Sequence, residues 1–383
     1  MTTQRSNIDI SEIVSAYDQS ALTLSAIGSH SALEVAAGAR AQGLRNLIVV
    51  AGGREQTYVR HFKAQEGRYP RGCVDETLLV ESFPQILEPG IQDKLRSRNA
   101  IFVPNRSFEV YLHQKYSYDE IERGMGVPFF GNRRLLRAEE RDEPSNQYAI
   151  MERAGIRFPR RFVRPSDIDG LALVKAPHKK VSFERAFFLV RSLAEYERES
   201  QRLIDAGIVD ERGLVGAVIE EYLLGPTINL NFFYSPALGE LELMGTDTRR
   251  QTNIDGLRDL PFAQAQALAD EPIRMEEAGH IAATLTESML EQAFDLGERL
   301  VKAAREMSPP GIIGPFALQC AIVAGPPKAF VVYDVSLRIP GSPGTRYTPY
   351  SSYRWGRDVS VGERIAMEVK MAREAGSLAA ILT

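Results

Sequence analysis

Short apolar segments alternate with longer amphipathic segments along the first third of the chain. A short apolar run predicts a buried strand, whereas apolar positions that recur three and four residues apart predict a helix. Alternation of the two is typical of a parallel sheet with crossover helices. We predict strands over 22–27, 46–51, 77–80 and 100–103 and helices over 32–43 and 88–98.

The rest of the chain carries further segments with helix and strand patterns. Gly155 is a helix-stop signal, and the sequence SPPG ends a second amphipathic pattern. In chain order we predict a helix over 138–154, a strand over 171–177, a helix over 194–206, strands over 218–224 and 228–234, a helix over 288–306, and strands over 316–323 and 329–336.

Composition and charge narrow the class of protein. The 383 residues are 44% hydrophobic and 25% charged with a net charge of -4, which is ordinary for a globular protein and argues against a nucleic-acid partner. The length suggests about two or three domains. Two cysteines, Cys73 and Cys320, give no disulfide framework or zinc spacing. With no secretory signal and no long apolar run, we expect no membrane partner and a cytoplasmic location.

The segment Gly28-Ser29-His30-Ser31 lies between the first predicted strand and the first predicted helix. Unpaired N–H groups at such a junction, with two hydroxyls and an imidazole, suit an anion such as phosphate. Ligands of open α/β sheets also bind at the carboxyl ends of the strands. The structural alternative is that a serine caps the helix and His30 lies in a turn.

The predicted hairpin 316–336 carries a candidate cation site. If Gly325 to Lys328 form a symmetric four-residue turn, Gln319 lies directly across from Asp334. An amide oxygen beside a carboxylate is a plausible donor set for Mg²⁺. A single solvated acid on an edge strand is the alternative.

Lys175 ends an apolar strand and is followed by several cations, which could hold a polyphosphate or could be a solvated face. Glu220 and Glu221 precede a Gly-Pro break, where backbone groups could read an adenine edge. The sequence has neither G-x-x-x-x-G-K-[ST] nor G-x-G-x-x-G. The cations after the strand are His178, Lys179, Lys180 and Arg185.

Several longer motifs, taken in order, carry a resemblance to a known family that runs over residues 22–370. Together they resemble formate-dependent FAICAR synthetases, which are ATP-grasp ligases of archaeal purine biosynthesis. The motifs NIDGL and GPFALQ are specific to that family. The stretches are IGSHSAL, FFGNRRLLR, ERAGIRFPRRFVRPSDIDGLALVK, VIEEYLLG, ELELMGTDTRRQTNIDGL and PPGIIGPFALQ.

The resemblance implies an ATP-grasp fold and a reaction. This α/β and α+β fold would have an N-terminal Rossmann-like domain (1–130), a small central α+β lid subdomain (131–225) and a C-terminal sheet domain (226–383). The enzyme would join formate to the amine of AICAR through formyl phosphate and release ADP and phosphate. Mg²⁺ is the implied cofactor, ATP the co-substrate, and a homo-oligomer the implied assembly.

The resemblance also assigns roles to residues. Arg338 would stabilise charge on the transferring phosphate, and His30 would be a phosphate contact or a base. The implied metal ligands are Gln319 and Asp334. The implied substrate-binding residues are His30, Ser31, Ser107, Arg249 and Asn253, and the implied ATP-binding residues are Lys175, His178, Lys180, Arg185, Glu220, Glu221, Leu223 and Asn231.

Departures from the family pattern concentrate at the substrate and phosphate loops. The segment after Lys175 has no glycine, where many members have a glycine-rich flap. Asp334 stands where glutamate is usual, and Asn105-Arg106 replaces His-Gly in the motif PHGSF. The segment 339–350 and the helix before Gly155, which lacks a usual lysine, also differ.

These departures keep three hypotheses open. The first is the formate–AICAR ligase itself. The second is a paralogue that joins another small acid to another amine-bearing nucleotide, and failure of AICAR to bind while ATP binds would favour it. The third is a nucleotide-binding sensor without turnover, which steady phosphate release would exclude.

Overall fold

A computed structural model describes residues 9–140, 143–177, 185–252, 261, 263–264 and 275–383. These residues separate into two compact units. The first unit contains the described residues of Met1–Ile156, Thr227–Cys320 and Asp334–Thr383, and the second contains those of Arg157–Pro226 and Ala321–Tyr333. The three-part division with boundaries after residues 130 and 225 stays a prediction.

The first unit begins with a parallel sheet of four strands in the order β3-β2-β1-β4. Every residue of β1 is buried, as expected of a strand flanked on both sides. The strand order reverses at β1, which is the point where open α/β sheets bind ligands. The parallel sheet predicted from the sequence is therefore present. The strands are β1 (Thr23–Ile27), β2 (Arg45–Ala51), β3 (Glu76–Val80) and β4 (Ala100–Phe102).

Helices accompany this sheet, and one begins later than predicted. The predicted helix 138–154 is wrong at its start, because 3-10 turns occupy Arg133–Glu139. The helix itself begins after Asn146, whose side chain accepts hydrogen bonds from the N–H groups of Tyr148 and Ala149. The helices are α1 (Ile10–Ser15), α2 (Ala32–Ala41), α3 (Pro89–Arg96), α4 (Phe108–Leu112), α5 (Tyr118–Gly124) and α6 (Gln147–Arg153).

The second unit contains an antiparallel sheet in the order β5-β8-β6-β7 with a small core of its own. The strand β8 ends at Glu221, before the end predicted at 224, and β7 was not predicted. The strands are β5 (Arg161–Phe162), β6 (Ala172–Pro177), β7 (Arg185–Val190) and β8 (Val218–Glu221), and the helices are α7 (Leu193–Asp205) and α8 (Glu211–Val215).

A further sheet has the order β11-β10-β9-β12-β13. The helix α9 matches the predicted amphipathic helix 288–306 closely, whereas β10 and β11 were not predicted. Within the described ranges no helix, the 18-residue α9 included, is long and apolar enough to cross a membrane. The elements are β9 (Thr227–Ser235), β10 (Glu240–Thr252), β11 (Met275–Ala282), α9 (Leu290–Met307), β12 (Gly314–Val323) and β13 (Ala329–Ser336).

Two late helices, α10 (Tyr350–Trp355) and α11 (Val361–Glu374), complete the first unit. The backbones of α2 and α11 approach closely through two glycines. A methyl group on Gly38 would lie 2.2 Å from the carbonyl carbon of Gly362, and a methyl group on Gly362 would lie 2.1 Å from the carbonyl oxygen of Glu34. Any side chain at either glycine would therefore force the helices apart.

The last residues of the chain pair with the segment after β4. The N–H of Phe129 donates to the carbonyl of Thr383 at 3.1 Å, and the N–H of Thr383 donates back at 2.9 Å. Side chains of 378–382 join the core cluster that also holds β1 and α2. The N-terminal sheet thus shares its core with the end of the chain.

A buried ion cluster lies beneath α11. Arg364 has no exposed surface, and its guanidinium pairs with Glu242 at 2.8 Å and with Glu368 at 2.9 Å. The same guanidinium lies 4.3 Å from the ring centre of Phe233 and 5.2 Å from that of Trp355. The two carboxylates and the two rings thus stabilise one guanidinium that is fully removed from water.

The buried Glu34 carboxyl on α2 makes the free energy of unfolding depend on pH. Burial raises its pKa from 4.5 to about 7, against hydrogen bonds from the N–H groups of Val361 and Gly362 and the charge of Arg346. Between these two pH values the folded protein holds a proton that the unfolded chain has released, so stability is lost as pH rises through this window. Between pH 4.5 and 8, we expect this carboxyl to lower the free energy of unfolding of the wild type by at most about 3 kcal/mol, a loss that Glu34→Gln should not show. Urea unfolding at several pH values in this range measures both proteins.

Other groups titrate in the same window, so wild type and variant are compared at each pH. Glu291→Gln, which changes an exposed carboxylate in the first turn of α9, is the control and should keep the wild-type slope. Equal slopes for wild type and Glu34→Gln would contradict the role of this carboxyl.

Candidate active site

Three loops of the first unit meet at the carboxyl end of β1. The hydroxyl of Ser29 donates to that of Ser107 at 2.9 Å, which joins the β1–α2 loop to the segment after β4. The hydroxyl of Ser31 donates to the carbonyl of Pro340 at 2.7 Å, which adds the segment after β13. Ser31 has a φ of 64° and no side-chain bond to the helix, so it does not act as a side-chain cap. The predicted substrate residues Ser31 and Ser107 thus lie in one loop cluster.

His30 and Arg106 border the same small gap in this cluster. A methyl group on Gly341 would lie 3.8 Å from Cδ of Arg106 and 3.9 Å from Nδ1 of His30. His30 is exposed and Arg106 is half-buried, so both can reach a ligand from solvent. An imidazole and a guanidinium side by side, in the loop cluster that also contains the hydroxyls of Ser31 and Ser107, suit a phosphate group.

The two predicted metal ligands lie side by side. Gln319 on β12 donates through Nε2 to Oδ2 of Asp334 on β13 at 2.5 Å, as the register of the predicted hairpin requires. The other carboxylate oxygen, Oδ1, accepts from Nε2 of Gln147 at 3.0 Å. Each oxygen of Asp334 therefore accepts one amide N–H and keeps a further lone pair.

This donor set fits a hard divalent cation that is shared with a ligand. No group of three or more His, Cys, Asp or Glu side chains that could hold a metal ion occurs in the part of the chain that the structure describes. Mg²⁺ is commonly bound by one or two carboxylates together with substrate phosphates and water. Asp334 and Gln319 can supply the protein's share of such a site.

Arg338 lies beyond Asp334 on the same segment and pairs with a carboxylate that is only partly exposed. Its guanidinium pairs with Glu139 at 2.7 Å, and Glu139 also accepts from the N–H of Leu337 at 2.7 Å. Burial, with the nearby charge of Glu139, raises the pKa of Glu109 to about 8. Arg338 is among the charges near Glu109, and its own side chain is only 9% exposed. The guanidinium is therefore held in place where little water surrounds it.

A polar cluster on β9, β10 and β11 surrounds Asp247. Its Oδ1 accepts from Nδ2 of Asn231 at 2.7 Å, and its Oδ2 accepts from Nδ2 of Asn229 at 2.8 Å. Nδ1 of His280 lies 2.5 Å from the same Oδ2. Asn231, predicted to bind ATP, thus bonds to Asp247, and Arg249, predicted to bind substrate, lies opposite His280 in the strand register.

The second unit carries Lys175 and the segment predicted to bind adenine. Lys175 on β6 forms an ion pair with Glu220 on β8, and the two side chains are only 10% and 5% exposed. Glu221 accepts from the N–H of Arg160 at 3.3 Å, and Leu223 follows β8 with its side chain half-buried. Lys175 and Glu220 are therefore brought together, while Glu221 takes different partners.

Some predicted site residues have no described position. His178, Lys180 and Asn253 lie outside the described residues, and for Arg185 the structure describes the backbone at the start of β7 but not the side chain. Their roles stay predictions.

Several polar residues of these clusters were missed by the sequence analysis, Asn229 and Glu109 among them. Glu139 and Gln147 lie among other polar residues of a predicted helix, so no local pattern marks them. Asp247 and His280 lie on two strands that were not predicted. Polar and apolar residues alternate over 240–243, which could have indicated the start of β10, but no local signal marks Asp247 itself.

Comparison with known sequences finds relatives that match almost the whole chain. Residues 24–162 match a family model described as "Protein of unknown function (DUF1246)", and residues 195–383 match "Domain of unknown function (DUF1297)". The chain is 37% identical over 375 residues to the 5-formaminoimidazole-4-carboxamide-1-(beta)-D-ribofuranosyl 5'-monophosphate synthetase of Methanopyrus kandleri, covering 98% of this chain and 99% of that protein. The protein of the same name from Methanocaldococcus jannaschii is 35% identical, with 95% and 96% covered.

Comparison with solved structures confirms the predicted ATP-grasp fold. The crystal structure of an IMP biosynthesis protein, PurP, from Thermococcus kodakaraensis has a TM-score of 0.67 and 28% identity, covering 94% of this chain and all of that one. A biotin carboxylase domain of Hydrogenobacter thermophilus 2-oxoglutarate carboxylase, solved with MgADP and bicarbonate, has a TM-score of 0.54 and 15% identity over 90% of this chain and 69% of that one. The second likeness shows the fold alone.

Proposed function

Because this chain belongs to the family of 5-formaminoimidazole-4-carboxamide-1-(beta)-D-ribofuranosyl 5'-monophosphate synthetases, we propose that it joins formate to the amine of AICAR with ATP. The protein is an ATP-grasp ligase that forms a carbon–nitrogen bond. Formate is a poor acyl donor, since its leaving group would be oxide. Phosphorylation by ATP gives formyl phosphate, whose phosphate leaves when the amine attacks the formyl carbon. The products are FAICAR, ADP and phosphate.

The observation that carries this proposal is the arrangement of Gln319, Asp334 and Arg338 in one unit of a chain so similar to these synthetases. Gln319 and Asp334 would hold Mg²⁺, which when bound would neutralise phosphate charge. Arg338, fixed by Glu139, would stabilise negative charge on the transferring phosphate. A buried cation is well suited to this because its interactions are weakly screened.

The loop cluster of the first unit would bind the ribotide. His30, Ser31 and Ser107 would hold its phosphate, and the contacts of Ser31 with Pro340 and of Ser107 with Ser29 support this role. His30 could also take a proton, since the imidazole of histidine titrates near neutral pH. Arg249 and Asn253 are the proposed contacts to the rest of the substrate.

ATP would be bound by cations and by the segment after β8. Lys175 would release Glu220 to reach the α- and β-phosphates, and Glu220 could then face the nucleotide. The further proposed ATP-binding residues are His178, Lys180, Arg185, Glu221, Leu223 and Asn231.

Phosphate release from ATP, with mass spectrometry of the products, tests the proposal. We expect Mg²⁺-dependent release that requires both AICAR and formate and adds one formyl group to AICAR. Release that proceeds equally without either substrate, or a product of another mass, would contradict it.

Arg106 favours a second candidate, a ligase that takes another amine-bearing nucleotide. This arginine stands beside His30 and Gly341, where the family motif has glycine, and would change the shape and charge of the ribotide site. Binding of ATP without binding of AICAR, measured by calorimetry, would support this candidate. Other amine ribotides and short acids would then be screened.

A reducing, cytoplasmic setting and a homo-oligomeric assembly complete the proposal. Neither Cys73 nor Cys320 forms a disulfide, which supports a reducing compartment. Light scattering after gel filtration would determine the assembly.

A further inference from the structure

Gln147, at the start of α6, is a buried polar side chain that connects two parts of the candidate active site. Its Oε1 accepts from the N–H of Val335 at 2.6 Å. Its Nε2 donates to Oδ1 of Asp334 at 3.0 Å and to the carbonyl oxygen of Glu139 at 3.2 Å. The side chain is 2% exposed, so water cannot replace these partners easily.

These partners allow only one orientation of the amide. The N–H of Val335 can only donate, so it requires the amide oxygen, and an ionised Asp334 and a carbonyl can only accept, so they require the two amide hydrogens. Turning the amide over would set two acceptors against an oxygen and leave the N–H of Val335 without an acceptor. Such buried unsatisfied groups are costly.

Through this amide, Asp334 is joined to the residue that holds Arg338. Glu139 gives its carbonyl to Gln147, while its carboxylate pairs with Arg338 at 2.7 Å and accepts from the N–H of Leu337. Gln147 therefore connects the carboxylate of Asp334 to the residue that pairs with Arg338.

We propose that Gln147 is a positioning residue that orients the carboxylate of Asp334 toward the divalent cation and keeps it in register with Arg338. This inference rests on the proposed metal role of Asp334. Groups that hold a metal ligand in place typically change metal affinity or activity by about 10–100-fold when they are removed. Gln147 would act in this way without touching the metal or the substrates.

The structure offers a matched control in Gln92 on α3. Gln92 is also buried, and both its amide hydrogens and its amide oxygen form hydrogen bonds. Nε2 donates to the carbonyls of Leu87 and Gly124, and Oε1 accepts from the N–H of Gly126. It lies beside the first sheet, and no contact joins it to Asp334 or Arg338 among the described residues. Gln92→Met therefore matches the structural damage of Gln147→Met without its effect on the site.

The test is Mn²⁺ binding to the full chain with saturating ADP, measured by electron paramagnetic resonance with formate and AICAR omitted. We expect Gln147→Met to weaken Mn²⁺ binding about 10-fold or more. In a separate assay with all substrates, we expect it to lower kcat for FAICAR formation by about 10–100-fold. Gln92→Met should keep the Mn²⁺ affinity within about twofold of wild type, even if both variants lose a similar amount in Tm.

If Gln147→Met does not fold, Gln147→Asn replaces it, because this variant keeps the amide but is one methylene too short to reach all three partners. The inference would be overturned if the Gln147 variant kept the Mn²⁺ affinity of wild type, or if Gln92→Met lost as much Mn²⁺ affinity as the Gln147 variant. It would also be overturned if wild type did not bind Mn²⁺. A weakened Mn²⁺ site in a chain that does not formylate AICAR would support the positioning role and overturn only the proposed substrates.

Discussion

Asp334→Asn is expected to lower the rate of Mg²⁺-dependent FAICAR formation by about 10²–10³-fold while the chain stays folded. Asparagine keeps the shape of the side chain but removes the one carboxylate that Gln319 and Gln147 contact. Metal-assisted neutralisation of phosphate charge contributes several kcal/mol to catalysis, and each 1.36 kcal/mol is a factor of ten in rate. Coupled detection of phosphate and FAICAR measures the effect, and thermal unfolding checks the fold.

Asp75→Asn is the control for this experiment. Asp75 also accepts an amide hydrogen bond, from Nδ2 of Asn46 at 2.8 Å, but it lies immediately before the edge strand β3. It should lower stability through its lost pairing with Arg40 and leave kcat near wild type. If Asp334→Asn retains more than a tenth of wild-type activity, Asp334 is not a ligand of the metal.

Arg364→Met is expected to lower the free energy of unfolding by about 3–5 kcal/mol. The substitution leaves Glu242 and Glu368 as buried carboxylates without their cation, and it removes the contact with the ring of Phe233. Removing one partner of a buried ion cluster is far more damaging than replacing the whole cluster. Urea unfolding followed by circular dichroism measures the loss.

A triple variant separates the effect of charge from that of volume. Arg364→Met combined with Glu242→Gln and Glu368→Gln removes all three charges, so it should recover a large part of the loss. A triple variant no more stable than Arg364→Met alone would mean that lost packing, and not buried charge, determines the effect.

Features set by neighbours along the chain were predictable from the sequence. The strands and helices of the first sheet follow from short-range periodicity, and the contact of Gln319 with Asp334 follows from counting across one four-residue turn. The loop after β1 could be singled out because small polar residues between a strand and a helix are a local signal.

Features that depend on distant segments were not predictable in this way. Gln147 and Asp334 are 187 positions apart, and nothing near Gln147 indicates that its partner is a carboxylate on β13. The pairing of Arg364 with Glu242 joins α11 to β10, a strand that the periodicity did not reveal. Roles at the site came from motif resemblance, which supplies residue identities without the contacts that support them.

The pairing of α2 with α11 and of Phe129 with Thr383 has a consequence for synthesis on the ribosome. Chains generally fold from their N-terminal end as they emerge, at about 5–20 residues per second. Here the apolar face of α2 can be buried only after α11 has emerged, which takes tens of seconds longer at that rate. The nascent N-terminal sheet therefore keeps apolar surface of α2 exposed until α11 has been synthesised.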